Sequence, residues 1–151
     1  NMGRYIIEFG MGTDFHGQDV SKAAAKAVKD AVSRSCLCGL SEVLRLEDLN
    51  QVKITVTVAV PRPEEVNPKL VAECLPIGSA EVRAVNGGLH LPGLYLPQFG
   101  DKDDSIEVAV AAVEVEIPER NAVLKQFIRR SFNESIQGSH EGHVPADGAH
   151  P

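Results

Sequence analysis

Residues 4–33, RYIIEFGMGTDFHGQDVSKAAAKAVKDAVS, place a strand, a glycine-rich turn and an amphipathic helix in immediate succession. In the helical part Val20, Ala23, Ala24, Ala27, Val28, Ala31 and Val32 recur at the spacing of one helical face. Lys22, Lys26, Lys29, Asp30 and Ser33 fill the rest. Asp19 suits the N-cap, because its carboxylate can accept free N–H groups of the first turn. The alanines let the helix lie close to a sheet. Gly39, after Cys38, reads as its stop. Residues 4–9 read as the first strand, and residues 10–17 as a loop.

Downstream, residues 52–60 (VKITVTVAV) alternate strictly and are mostly β-branched, which predicts a strand with one apolar face. Pro61 and Pro63 end it. Asn67 caps a shorter helix, with Pro68 at its first position and Val71, Ala72 and Leu75 inward. Residues 81–85 form a third strand, and Asn86-Gly87-Gly88 reads as a hairpin turn. Residues 89–97, interrupted by Pro92 and Gly93, form an irregular loop or an edge strand. Residues 106–117 form the last strand, with Glu114 and Glu116 facing water. Its apolar phase changes midway, which predicts a bulge near Ala111-Ala112. A final helix over 119–136 buries Val123, Leu124, Phe127, Ile128 and Phe132. Beyond Gln137 the composition turns to Gly, His, Pro and Ala and reads as a disordered tail.

The order β-α-β-α-β-β predicts an α+β two-layer sandwich. Its four-stranded mixed sheet carries helices on one face, with a C-terminal helix added. We expect a single domain over 2–136 and a tail over 137–151. The order resembles the chorismate-mutase-like and imine-deaminase-like folds. That resemblance implies a homo-oligomer, a trimer first, with sites between subunits.

Composition narrows the function. The chain has 151 residues, 43% of them hydrophobic, enough for one sizeable core. A formal net charge of −6, without a basic stripe or Trp, argues against nucleic acid. No apolar run approaches the length of a membrane span, and no signal-peptide pattern is present, so a cytoplasmic protein without membrane contact is expected. Three cysteines, Cys36, Cys38 and Cys74, fit a reducing compartment better than a disulfide framework. We read Cys36 and Cys38 as small buried residues at a helix end.

Chemistry concentrates in residues 10–17. Asp14 and His16, two apart in an extended segment, project to one side, where carboxylate and imidazole could share a divalent cation such as zinc. The missing ligands would come from His90, Glu8, Asp19 or another subunit. Gly10 and Gly12 allow positive φ and close approach of a ligand, and Gly17 lets the chain turn. Backbone N–H groups near Gly17 to Val20 could hold an anion, in competition with Asp19. A structural reading competes throughout: Asp14 caps a turn and His16 bonds a carbonyl. Asn86, Gly87 and Gly88 could face a ligand with their N–H groups. Asp101, Asp103 and Asp104 read as a solvated acidic run. His140, His143 and His150 read as adventitious metal binders.

The pattern Gly10-x-Gly12-x-Asp14-x-His16-Gly17 resembles the hallmark of a conserved hypothetical family found in bacteria and plants. Gln18-Asp19-Val20, Ala23-Ala24, Asp30-Ala31, Gly39-Leu40, Val60-Pro61 and Asn86-Gly87-Gly88-Leu89 continue the likeness over most of residues 4–117. The resemblance implies a family and no reaction. Gly12-Thr13-Asp14-Phe15-His16 is also locally similar to the zinc-holding Asp-x-His of cyclodiphosphate synthases, whose third ligand has no counterpart here.

The expected function is that of a small-molecule enzyme, a hydrolase or lyase with or without a metal, acting on an anionic or heterocyclic metabolite. His16 would be acid–base group or ligand, with Asp14 beside it and Gly10, Gly12, Gly17, Asp19, Asn86, Gly87 and Gly88 lining the site. The alternative is a non-catalytic ligand-binding or assembly module.

Overall fold

The computed structural model describes residues 2–118 and 122–138. The chain divides after Pro118 into two compact units. The first contains β1 (Met2–Asp14), α1 (Val20–Ser33), α2 (Gly39–Glu42), β2 (Lys53–Val60), α3 (Pro68–Ala72), β3 (Ser79–Asn86), β4 (Leu89–Pro92) and β5 (Ser105–Pro118). The second contains α4 (Ala122–Gly138).

The first unit is the expected α+β sandwich, built on a mixed five-stranded sheet of order β1-β5-β2-β3, with β4 on β5. β5 lies antiparallel to both β1 and β2, so β1, β2 and the parallel β3 share one direction. β4 pairs with residues 105–108 of β5, beyond the stretch that β2 occupies. Residues 89–92 are thus the edge strand of the two readings.

One sheet face carries α1. Its inner rows include Gly10–Ala111–Val58–Ala84 and Ile6–Val115–Ile54–Ala80. Ala23, Ala24, Ala27 and Val28 of α1 are fully buried against them. The opposite face is open within this unit. There Met11–Val110–Ala59–Val85 form one row, flanked by Phe9 and Leu89, and Phe9 and Met11 are 62% and 60% exposed. The free edge of β1 is capped by α1: Met11 N–H donates to Asp30 at 2.9 Å, and Lys26 Nζ to the Thr13 carbonyl at 2.9 Å. Polar side chains on an edge block pairing with another chain.

Several boundaries differ from expectation. β1 continues through Asp14 rather than ending at Phe9, because Gly10 and Gly12 keep extended backbone and pair with Ala111 and Ala109. The register shift lies at Tyr5 in β1, and the β2–β5 register runs unbroken past Ala111-Ala112. Asn86-Gly87-Gly88 is not a hairpin. It carries the chain from β3 across the end of β2 to β5, with Gly87 N–H on the Val60 carbonyl at 3.0 Å. α1 ends at Ser33, and Gly39 opens α2 instead of stopping α1. Cys36 and Cys38 are consequently exposed, not buried at a helix end.

In α4, Arg130 and Glu134 pair one turn apart at 3.5 Å. Ile128 and Phe132, expected to be buried, are 59% and 64% exposed, while the side chains of Val123, Leu124 and Phe127 lie outside the described residues. The tail beyond residue 138, with His140, His143 and His150, lies outside them too. No described helix is long and apolar enough to cross a membrane.

Candidate functional site

The strands β1, β2 and β3 point their carboxyl ends to one side of the sheet, where α1 begins. Crevices at such ends are where α/β sheets place ligands. The inner face at that end changes character. Asp14 on β1 stands opposite Glu107 on β5, and Glu107 stands opposite His90 on β4. A row of ionisable residues thus crosses three strands, where the next two inner positions of β1 are glycine and those of β5 are alanine.

Glu107 is the centre of that row and is fully buried. Its Oε1 accepts from Arg62 at 2.8 Å and meets His90 Nδ1 at 2.8 Å. Its Oε2 is buried and, among the described residues, has no hydrogen-bond partner. A buried acceptor left unpaired costs about 1–3 kcal/mol, so it marks a place where a donor belongs. Arg62 follows β2 and also bonds Glu65 at 2.7 Å and the Gln18 carbonyl at 3.2 Å. Hydrogen bonds to Glu65 and then Glu107 hold its guanidinium pKa above the ordinary value.

After Asp14 the chain turns through Gly17 and Gln18, at φ of 87° and 51°. Gly17 takes the left-handed region without strain; Gln18 needs support there. That support comes from residues 101–105. Gln18 Nε2 donates to the Ser105 carbonyl at 2.9 Å, and its Oε1 accepts from Lys102 N–H at 2.7 Å.

The same loop delivers Asp101 to His16. The side chain of Asp101 is inaccessible to solvent, and His16 Nδ1 lies 3.0 Å from its Oδ1. Gly17 N–H and Leu96 N–H donate to the same carboxylate at 3.1 and 2.7 Å. A ring nitrogen facing a carboxylate carries the proton, so Nε2 is the free lone pair of the neutral imidazole. Phe99 stacks obliquely on the ring, with centroids 5.1 Å apart. His90 is anchored alike through Nδ1 by Glu107. The site therefore holds two imidazoles, 38% and 53% exposed, each fixed by a carboxylate that solvent does not reach.

Burial pushes the Asp101 pKa up, but hydrogen bonds from Leu96, His16 and Gly17 outweigh it, and the net shift is downward. A carboxyl held below its unfolded value, about 3.9, stabilises the fold fully above that value. The contribution is lost as pH falls through the lower native value. Asp101→Asn is therefore expected to be less stable than the parent at neutral pH, with the gap narrowing below about pH 4. Urea titrations of both proteins from pH 7 to 3 check this, and a pH-independent gap would contradict it.

The expected site residues sort unevenly. Asp14 is 5% exposed and accepts Asp19 N–H at 2.8 Å, while His16 turns to Asp101. The two do not share a partner. Among the described residues no group of three or more His, Cys, Asp or Glu side chains could hold a metal ion. The donors of one chain, as described, do not assemble a zinc site.

Asp19 is the N-cap, accepting from Ser21 and Lys22 N–H at 2.9 and 3.2 Å. With Gly17 N–H on Asp101 and Asp19 N–H on Asp14, much of the expected anion cradle is filled by the chain's own carboxylates. The close approach at Gly10 and Gly12 is to α1: a Cβ on Gly12 would lie 2.3 Å from the Ala23 carbonyl oxygen. Neither has positive φ. Asn86, Gly87 and Gly88 lie at this end of the sheet, where a Cβ on Gly88 would sit 2.1 Å from the Val108 carbonyl oxygen. Arg83 pairs with Glu81 at 2.9 Å on the surface. Glu8 lies away from this end, beside Ser35. Glu107 and Arg62 are absent from the sequence reading, Gln18 enters it only within the family-like pattern, and Asp101, read there as solvated, is buried.

A family described as "conserved hypothetical protein (Lin0512_fam)" matches residues 4–115. A crystal structure of an FtsZ-like protein of unknown function from Nostoc punctiforme PCC 73102 is similar at 41% identity, with a TM-score of 0.71. The match covers 77% of this chain and 96% of that one. No curated protein matches.

Proposed function

The chain belongs to the Lin0512_fam family of conserved hypothetical proteins, and on that footing we propose a small-molecule enzyme that performs acid–base chemistry on an N–H-bearing heterocycle. The unpaired, buried Oε2 of Glu107 carries this reading. It wants a hydrogen-bond donor, which a lactam, cyclic urea or similar ring supplies and a phosphate or carboxylate does not. The surroundings agree. Asp14, Asp19, Asp101 and Glu107 outnumber the two cations placed beside them, Arg62 and the Lys26 ammonium on the Thr13 carbonyl, so an anion would meet repulsion.

His16 is the proton-transfer group. Asp101 fixes its tautomer and orientation, which leaves Nε2 to take a proton from water or substrate and to return it. Arg62 ties the halves of the site together, touching both Glu107 and the Gln18 carbonyl. This arrangement supports a hydrolase or a lyase.

The test is an NMR titration of the full chain with uracil, hydantoin and 2-pyrrolidone, alongside acetate and inorganic phosphate. The ring compounds are expected to shift His16, His90 and Glu107 resonances, and the anions are not. Glu107→Gln should weaken ring binding at least tenfold. His16→Ala should leave binding in place and remove turnover of any ring that is processed. Preferential binding of the anions, or of nothing, would overturn the proposal.

A further inference from the structure

Another ionisable residue interrupts the inner face of the sheet, far from the first site. The row Glu8–Val113–Val56–Val82 is aliphatic except for Glu8. Glu8 is half-buried, and the Ser35 hydroxyl donates to its Oε1. Among the described residues no Lys, Arg or His forms an ion pair with it. A carboxylate on an apolar inner face is poorly solvated, and a neutral hydroxyl compensates it only in part.

Glu8 and Ser35 stand at a pocket of about 240 Å³. Ile54, Val113 and Val115 form its floor, and all three are buried. Val32, Leu37 and Leu75 form its walls. The pocket lies by the C-terminal end of α1, and His16 precedes its N-terminal end. The helix between them has 14 residues, roughly 20 Å at the usual rise. The volume is below the range typical of drug-sized ligands and suits a short aliphatic chain or a single ring.

We propose that this pocket is a binding site for a small primary amine, its apolar body among Ile54, Leu37, Leu75 and Val115 and its ammonium group on the Glu8 carboxylate. The two features are complementary. The walls exclude water from the alkyl group, and the ammonium supplies the charged donor that Glu8 lacks. An alcohol of the same length would keep the apolar contact and lose the charge. A carboxylate would be repelled.

Calorimetric titration of the full chain with n-hexylamine, n-hexanol and hexanoate at neutral pH tests this. Hexylammonium is expected to bind at least tenfold tighter than hexanol, with hexanoate weakest. Amide shifts should centre on Val32 to Leu37 and Leu75 to Ile77 and spare His16. Glu8→Gln should level amine and alcohol. Cys36 lines the same pocket and is exposed, so its alkylation by iodoacetamide provides a readout needing no variant. Hexylamine should slow that reaction more than hexanol does at equal concentration. An amine bound no tighter than the alcohol, a preference that survives Glu8→Gln, or equal protection of Cys36 would overturn the proposal.

Discussion

Gly12→Ala is expected to destabilise the sheet-bearing unit by about 3 kcal/mol or more. The added Cβ would fall 2.3 Å from the Ala23 carbonyl oxygen, 2.4 Å from the Ala27 nitrogen and 2.7 Å from the Lys26 Cβ. Two of these are backbone atoms of α1, so no rotamer change relieves the clash; the helix must lift. Lifting it opens the packing of Ala23, Ala24, Ala27 and Val28, all fully buried. It would also move Asp19, whose N–H holds Asp14 at the edge of the candidate site. Gly3→Ala is the control, since a Cβ there meets nothing within 4 Å. Guanidinium denaturation of both variants is the measurement. A cost below about 1 kcal/mol at Gly12 would mean that α1 shifts freely.

The same glycine shows where sequence reading succeeds and where it stops. The strand over 52–60, the helix of alanines after Asp19 and the Asn67-Pro68 helix start were legible because local periodicity and capping decide them. Glycines in a row, by contrast, admit two readings. They can bend a loop around a ligand, or they can let a helix press onto a strand. The second reading was available in Ala23, Ala27 and Ala31, which recur every four residues and meet Gly10 and Gly12.

The ionisable partners were harder for a different reason. Asp101 lies 85 residues beyond His16, and only tertiary structure draws it out of a run that looks solvated. Glu107 left a fainter trace. The inner phase of β5 is Glu107, Ala109, Ala111, Val113 and Val115, and a charge heading an apolar phase is a signal. Expecting a bulge near Ala111-Ala112 broke that phase and hid it. Glu8 left the same trace on β1. A charge on a strand's inner phase thus heads each of the two sites proposed above.

Arg62→Met is expected to cost about 3–5 kcal/mol, because it strands the Glu107 charge. Arg62 supplies the permanent positive charge at Oε1, and Glu107 is inaccessible to solvent. His90 would remain as an Nδ1–H donor, and as a countercharge only when protonated. Removing both charges should be far milder, since an apolar pair of similar volume often equals or exceeds a buried ion pair. Arg62→Met combined with Glu107→Leu is therefore expected to recover most of the loss, leaving Glu65 and His90 to water. A double-mutant cycle by urea denaturation measures the coupling, and a cost below about 1 kcal/mol for Arg62→Met alone would refute the account. The double variant also separates two roles that one residue plays. If Glu107 served packing alone, the stable double variant would keep ring-ligand binding. If its free oxygen receives a donor, the variant folds and binding is lost, because a leucine in that row offers no acceptor.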